Sequence, residues 1–453
     1  MLTYELKKSP GVPLYEALYR CIRADILSGT LAPGTQLPSK RALAQNLEVS
    51  KITVEGAYNQ LLSEGYIRSR EKIGYFVEAV ERQTLPLPPE PAPTPVPAAP
   101  AVDLTGGSVR FPFSVWTRLQ REVVLDYGEE LLKPMPNRGV WELRQAISRH
   151  LADFRGLHAP PENILIGAGT DFIYNLLIQL LGRDRVYAVE EPGYGKIRKI
   201  YAAGGVTCVS ANLDSAGVIP ESLGEASVLH ISPSHHFPTG LVTPVTRRRE
   251  LLAWAQARQG YIIEDDYDSE FRFDARPVPT MQSLDACGRV IYMNSFSKSL
   301  APSIRISYLV LPEELMGRFQ RELGFYSCTV PSFEQYTLAR FLSRGHFEKH
   351  INRMRKFYRA RRNRVVEILR SCPFAEKLEI LEQDAGLHFL LKVDTPLSDR
   401  ELTDRLGKAG IRIQALSHYY HRENPLDTHC LVVNYAGVNE DTLERLLQKL
   451  SEA

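Results

Sequence analysis

Apolar and polar positions recur with different periods along the chain, and the changes of period divide it. Near the start, Leu14, Leu18, Ile22 and Ile26–Leu27 fall at helical spacing, and Gly29 follows as a stop. The stretch 31–39, Leu-Ala-Pro-Gly-Thr-Gln-Leu-Pro-Ser, reads as a turn-rich connector. Ser39 can cap a helix over 40–47 with Leu43, Ala44 and Leu47 facing inward, and Ser50 can cap the next, Lys51–Glu64. Val54, Ala57, Tyr58, Leu61 and Leu62 form the stripe that this second helix buries, and Gly65 ends it. Tyr66–Arg70 and Tyr75–Glu78 then predict two short strands around Glu-Lys-Ile-Gly (71–74), a wing. Two short helices with a tight turn between them, the second opening polar and basic, predict a winged helix-turn-helix.

Farther on the pattern becomes alternating strands and helices, which predicts an α/β architecture. Asn163–Gly167 reads as a strand, Thr170–Leu181 as a helix and Arg185–Glu190 as a strand. Val228–Ile231, Tyr261–Glu264 and Val290–Met293 read as further buried strands. Between the two patterns, eight of the fifteen residues 86–100 are proline. Proline fixes φ and lacks an amide donor, so this stretch is expected to be an extended tether. At about 3.1 Å per residue it reaches roughly 45 Å. The expected organisation is a DNA-binding domain over 1–80, a linker over 81–102 and a large domain over 103–453.

Composition narrows the classes. Of 453 residues, 44% are apolar and 24% charged, which excludes a wholly disordered or fibrous chain. No apolar run approaches the roughly 20 residues of a membrane span, and the first residues lack a signal-peptide core. Six cysteines, at 21, 208, 287, 328, 372 and 430, include no Cys-x-x-Cys pair. A disulfide framework or a metal site is therefore not expected, and a cytoplasmic location is. Net charge is only +2, so contact with nucleic acid must come from a local patch.

Two groups of residues can carry chemistry. Ser50, Lys51 and Thr53 open the second helix, the end that enters a major groove and whose amides favour a phosphate. Lys40 and Arg41 lie on the preceding helix, and Lys72 at the wing tip. In the large part, Lys298 follows a strand within Asn-Ser-Phe-Ser-Lys-Ser-Leu-Ala-Pro-Ser-Ile-Arg, where a lysine could form an imine with a carbonyl. Asp265 ends a strand 33 residues earlier, placed to keep a pyridinium nitrogen protonated. Gly-Ala-Gly-Thr (167–170) joins a strand to a helix and can cradle a phosphate, while Tyr194 can stack on a ring.

The blocks Ile-Leu-Ser-Gly-Thr-Leu-Ala-Pro-Gly-Thr-Gln-Leu-Pro-Ser-Lys-Arg-Ala-Leu-Ala and Leu-Leu-Ser-Glu-Gly-Tyr-Ile make residues 12–77 closely resemble the GntR family of bacterial regulators. The resemblance places DNA contacts at Ser39, Arg41, Ser50, Lys51, Thr53 and the wing at Lys72–Gly74. Lys51 stands where that family often has arginine, which loses the bidentate fork and favours a phosphate contact. Residues 103–450 resemble fold-type I aminotransferases, through Gly-Ala-Gly-Thr-Asp-Phe, Ser-Pro-Ser-His-His-Phe-Pro-Thr-Gly, Ile-Glu-Asp-Asp-Tyr-Asp and Ser-Phe-Ser-Lys-Ser-Leu. The whole chain is similar to the MocR/GabR group of regulators. That likeness implies pyridoxal 5′-phosphate, held by Lys298 as a Schiff base. It implies Asp265 on the pyridine nitrogen, Tyr267 on the 3-hydroxyl and Tyr194 on the ring face. Ala168, Gly169, Thr170, Ser295, Ser297 and Arg305 would hold the phosphate or its surroundings. A head-to-tail homodimer is implied as well.

Two departures bear on activity. Phe237 replaces the asparagine of the aminotransferase Asn-Pro-Thr-Gly motif. Val432, in Leu-Val-Val-Asn-Tyr, stands where the arginine that forks a substrate carboxylate is expected; Arg305, Lys196, His388 and His418 are the alternatives. The stretch 349–364 holds eight Lys/Arg and no acid, and reads either as a helix bridging two subdomains or as a track for the DNA backbone. The function expected is a transcription regulator that binds operator DNA and senses an amine, an amino acid or the cofactor itself. The alternative is a working aminotransferase that carries a DNA-binding domain.

Overall fold

In the computed structural model the first apolar stripe forms α1 (Leu14–Ser28), which Gly29 ends in the left-handed region at φ 82°. The structure describes residues 2–4, 13–71, 73–79, 102–104, 110–271, 278–381, 386–421, 426–438 and 440–451. The chain divides into two units, Met1–Ala98 and Ala99–Ala453. The proline-rich stretch and Lys72 lie outside the described residues.

In the smaller unit, β1 (Gln36–Leu37) precedes α2 (Lys40–Asn46) and α3 (Lys51–Ser63), and β2 (Ile67–Arg70) and β3 (Gly74–Val77) form the wing. Ser39 and Ser50 cap the two helices by accepting from the amides of Ala42 and Thr53. Leu18, Ile22, Leu43, Val54, Tyr58 and Leu61 close the core, and the Tyr58 hydroxyl donates to the Pro38 carbonyl at 2.9 Å. β1 falls within the stretch read above as a connector. Two residues are too short to show a period, and they become a strand only by pairing with β3, Leu37 opposite Tyr75.

The larger unit opens with β4 (Val102–Asp103), α4 (Phe113–Tyr127), α5 (Trp141–Arg155), β5 (Ile164–Gly167), α6 (Thr170–Leu181) and β6 (Val186–Glu191). Then follow α7 (Gly195–Ala203), β7 (Thr207–Asp214), β8 (Gly217–Val218), β9 (Val228–Ile231), α8 (Val245–Ala257) and β10 (Tyr261–Asp265). α9 (Met281–Leu284), β11 (Val290–Ser295), β12 (Ser307–Val310), α10 (Glu313–Glu322), α11 (Ser332–Ser343) and α12 (His346–Ser371) complete its first part. A second part holds β13 (Leu378–Leu381), β14 (His388–Val393), α13 (Asp399–Lys408), β15 (Ile411–Arg412), β16 (Gln414–Ala415), β17 (Cys430–Asn434) and α14 (Glu440–Ser451). β4 pairs with β15 in parallel, so residue 102, read above as the end of the linker, already belongs to a sheet.

The main sheet has the order β5-β12-β11-β10-β9-β6-β7-β8. β12 and β8 run antiparallel to their neighbours and the other pairings are parallel. β9, β10 and β11 are buried along their whole length, which is why they read as continuous apolar runs. β6 sits between β7 and β9, so successive connections leave it in opposite directions. A crevice opens at the carboxyl ends of such strands. The second part is an antiparallel sheet, β13-β14-β17-β16. α12 joins the two parts, burying Phe347, Ile351, Met354, Tyr358, Val365 and Leu369 in one core with both. Among the described residues no helix is long and apolar enough to cross a membrane.

A layer of buried charge lies beside this core. Arg155 pairs with Asp266 at 2.9 Å, and Tyr292 donates to Asp266 at 2.7 Å. Arg248, fully buried, donates to the carbonyls of Pro233, Thr243 and Pro279 and so pins the loop after β9. Glu270 is buried with an unpartnered Oε2, and burial, aided by Asp266, pushes its carboxyl from 4.5 up to about 8. The folded state therefore holds a proton that the unfolded chain releases between those two values. Glu270 contributes its full stability below about pH 4.5 and loses it as pH rises through about 8. Within that window the loss is about 1.4 kcal/mol per pH unit. Thermal unfolding from about pH 5 to about pH 8 should show Glu270→Gln with a flatter pH dependence than the unsubstituted chain; parallel curves would contradict this account.

Candidate functional site

On the smaller unit, capping explains why the start of α3 faces solvent. Ser50 Oγ accepts the Thr53 amide at 3.1 Å, which leaves the side chains of Ser50 and Lys51 exposed at the positive end of the helix dipole. Ser39 and Arg41 are likewise exposed, and Thr53 is half-buried. Lys40 is not available in the same way, because it pairs with Glu55 at 2.7 Å. Ile52, 79% exposed, stands between Lys51 and Thr53 on this surface and went unremarked in the sequence. An apolar side chain there can meet a thymine methyl group.

On the larger unit, Thr170, Tyr194, Asp265, Tyr267, Ser295, Ser297, Lys298 and Arg305 line one cavity of about 370 Å³ at the carboxyl ends of β6, β9, β10 and β11. Asp265 is the last residue of β10. Its Oδ2 accepts from the Tyr174 hydroxyl at 2.9 Å and lies 3.6 Å from His230 Nε2. His230 Nδ1 is in turn 2.7 Å from the Tyr201 hydroxyl. Asp265 Oδ1, in contrast, is buried and has no hydrogen-bond partner. A buried carboxylate oxygen left open in this way fits a cationic ring nitrogen. Burial and the nearby Asp268, Asp265 and Glu190 push the Tyr267 hydroxyl up, so it remains a phenol able to donate.

The opposite end of the cavity is an anion cradle. Gly169 has φ 85°, and a Cβ on it would come within 2.4 Å of the Arg305 guanidinium. Only glycine lets Arg305 lie across this turn. The amides of Ala168 and Gly169 donate to Thr329 Oγ1 and the Gly167 carbonyl, so the open donors are those of the first turn of α6. Ser295, Ser297 and the Arg305 guanidinium complete a set suited to a phosphate dianion. Asp171 balances Lys196 at 2.7 Å and Arg305 at 3.5 Å.

The third wall is aromatic and crosses between the two parts of the unit. Phe237 meets Tyr194 and Tyr419 edge-on, with ring centres 6.0 and 5.1 Å apart. Gly193 donates to the Tyr419 carbonyl, and Glu191 accepts from the His421 amide. β17 carries no arginine; Asn434 and Val432 share one face by strand alternation, with Asn434 at the cavity and Val432 buried. Of the alternatives named above, Arg305, Lys196 and His388 line the cavity, and His418 is exposed outside it. Burial and neighbouring His235 hold His388 well below the usual histidine range, so it is neutral and cannot replace an arginine. Arg198, Asn434 and His421 line the cavity without having been singled out in the sequence. Arg198 lies one helical turn after Tyr194, a spacing that was readable; the other two arrive from distant segments.

Comparisons with known proteins bear on the family and the fold. The model for the bacterial regulatory proteins of the gntR family matches residues 14–77, and that for aminotransferase class I and II matches residues 102–450. An uncharacterised HTH-type transcriptional regulator of Bacillus subtilis, YdeL, is 37% identical over 100% of this chain and 99% of its own length. The probable rhizopine catabolism regulatory protein MocR of Rhizobium meliloti is 32% identical over 99% of this chain and 95% of its own. Among solved structures, the kynurenine aminotransferase of Pyrococcus horikoshii superposes with a TM-score of 0.68 at 24% identity, covering 78% of this chain and 92% of its own. That likeness concerns the fold.

Gly169→Ala tests the cradle. The Cβ must displace the Arg305 guanidinium, so affinity for pyridoxal 5′-phosphate, followed by absorbance titration, should fall at least about tenfold, the effect of losing about 1.4 kcal/mol. Unchanged affinity would remove Arg305 from the phosphate site.

Proposed function

The chain belongs to the aminotransferase class I and II family, as a DNA-binding transcription regulator with a gntR-family domain ahead of the aminotransferase-like one, and on that premise we propose that its cavity is a sensor. It reads an amine, an amino acid or pyridoxal 5′-phosphate itself, in the cytoplasm, as a head-to-tail homodimer. The observation that carries this is the unpartnered Asp265 Oδ1 in the same cavity as Lys298 and the Arg305 cradle.

When bound, pyridoxal 5′-phosphate supplies an aldehyde reactive toward amines and an electron-withdrawing ring. This chain's own groups do the rest. Lys298 offers the amine nearest that chemistry. Asp265 holds a proton on the ring nitrogen, and Tyr267 donates to the ring hydroxyl. The first turn of α6, Ser295, Ser297 and Arg305 bind the phosphate, and Tyr194 covers the ring face. Ligand entering beneath Phe237 and Tyr419 touches both parts of the larger unit at once, since these rings meet across them. Binding can thereby bias how the two parts close, which is linkage between a ligand site and a protein conformation.

Two features favour sensing over turnover. β17 has no arginine to fork a carboxylate, and Phe237 removes a polar contact to the cofactor. The homodimer is supported by exposed apolar side chains on adjoining segments. Leu132 and Phe325 are 77% and 76% exposed, and Asn137 ties the two segments by donating to the Gly324 carbonyl. On the smaller unit, Arg41, Lys51 and Ile52 supply the contacts to the operator.

Three measurements check the reading. Lys298→Ala should lose the visible band that the unsubstituted chain gains on cofactor addition, and a steady-state assay with an amino-acid panel and 2-oxoglutarate should find negligible turnover. Sustained turnover would favour the aminotransferase reading. Arg41→Ala and Lys51→Ala should each weaken operator binding and flatten its salt dependence; unchanged gel-shift affinities would contradict the docking surface.

A further inference from the structure

The basic stretch 349–364 resolves into two sets of side chains with different work. Arg355, Arg361 and Arg362 turn inward: Arg355 Nε donates to the Glu270 carbonyl, Arg361 donates to the Ala436 carbonyl and lies over the Phe357 ring, and Arg362 is buried. Lys349, Arg353, Lys356, Arg359 and Arg364 are exposed and fall on one arc of α12. No acid occurs between residues 349 and 366, and Glu367, which pairs with Arg364, is the first to follow. At 1.5 Å per residue the arc runs roughly 22 Å.

The surface continues onto α4. Arg118 Nη2 lies 3.5 Å from His346 Nε2 at the start of α12, and Arg118 and Arg121 are exposed. Burial together with Arg118, Lys349 and Arg344 disfavours the protonated form of His346. Two acids lie here: Glu122 faces Arg344, Arg340 and Arg118 at 2.5, 3.8 and 3.9 Å, and Asp126 pairs with Arg340 at 2.8 Å. Two carboxylates among these three guanidiniums, with Arg121 and Lys349 exposed beside them, leave the patch positive.

We propose that this face of α12 and α4 is a second contact for the DNA backbone, independent of base sequence. The inference rests on the DNA-binding function of the smaller unit and adds a site on the larger one. A chain with a net charge of only +2 that gathers five cations on one helix arc, with Glu367 beside Arg364 as the acid at its end, has concentrated them locally. The smaller unit supplies few cations of its own, ten Lys/Arg against eight Asp/Glu over residues 1–80, with Lys40 held by Glu55. A duplex presents one negative charge per about 1.7 Å, so the arc faces about a dozen of them. No base-reading geometry is needed, because lysine and arginine spaced along a helix recognise phosphate by charge.

The test uses the full-length, cofactor-loaded protein and a long duplex that the protein selects from a random-sequence pool. The variant is Lys349→Gln, Arg353→Gln and Lys356→Gln together, with Lys392→Gln, Arg400→Gln and Lys408→Gln, exposed elsewhere on the larger unit, as the control for net charge. The slope of log affinity against log salt should become shallower by about 0.9 for each contact removed, up to about 2.7 for the three. The control should keep the original slope, and both proteins should keep their visible absorbance. An unchanged slope in the first variant, or an equal loss in the control, overturns the proposal. If the unsubstituted protein selects no sequence at all, the DNA-binding reading fails first and this inference falls with it.

Discussion

One buried carboxylate organises the larger unit. Asp265 ends β10 with one oxygen satisfied by Tyr174 and the other without any partner. A buried carboxyl oxygen without a compensating partner is costly, and the arrangement suits a cation brought from outside the chain. The neighbouring groups are consistent with that demand. His230 and Tyr201 back the satisfied oxygen, Tyr267 is kept as a phenol, and the phosphate cradle fixes the far end of whatever carries the cation. The sheet order places all of them at one crevice, because β6 is where the connections reverse.

Much of this was legible in the sequence, for a physical reason. Lys298, Asp265, Gly169 and Tyr194 each sit in a short motif at the end of a strand, where local chain geometry alone decides what can be done. The helices of the smaller unit were legible through their stripes and their serine caps. What was not legible depends on partners far along the chain. β1 exists through pairing with β3, and Asn434 and His421 reach the cavity from segments more than a hundred residues after Lys298. The charge count over 349–364 could not reveal direction. Only the packing of α12 against both parts of the unit shows that Arg361 and Arg362 serve the interior while Lys349, Arg353 and Lys356 face water.

One departure from an aminotransferase, the missing arginine on β17, concerns the reacting ligand and the other, Phe237, a contact to the cofactor, while Lys298, Asp265 and Arg305 still line one cavity. A site that keeps the lysine, the ring-nitrogen carboxylate and the cradle can still meet an amine. A site without an arginine on β17, and with a neutral His388 in the wall, holds a carboxylate less firmly. Weak hold on the substrate suits a sensor, in which binding energy is spent on conformational bias instead of on a transition state.

The central claim is that occupancy of this cavity and operator binding are coupled. The direct measurement is the affinity of the full-length protein for its operator, with cofactor alone and with cofactor plus an amine that changes the visible spectrum. The account predicts a change of at least about fivefold, corresponding to about 1 kcal/mol of coupling, and its loss in Lys298→Ala. An amine that alters the spectrum yet leaves operator affinity unchanged would contradict it.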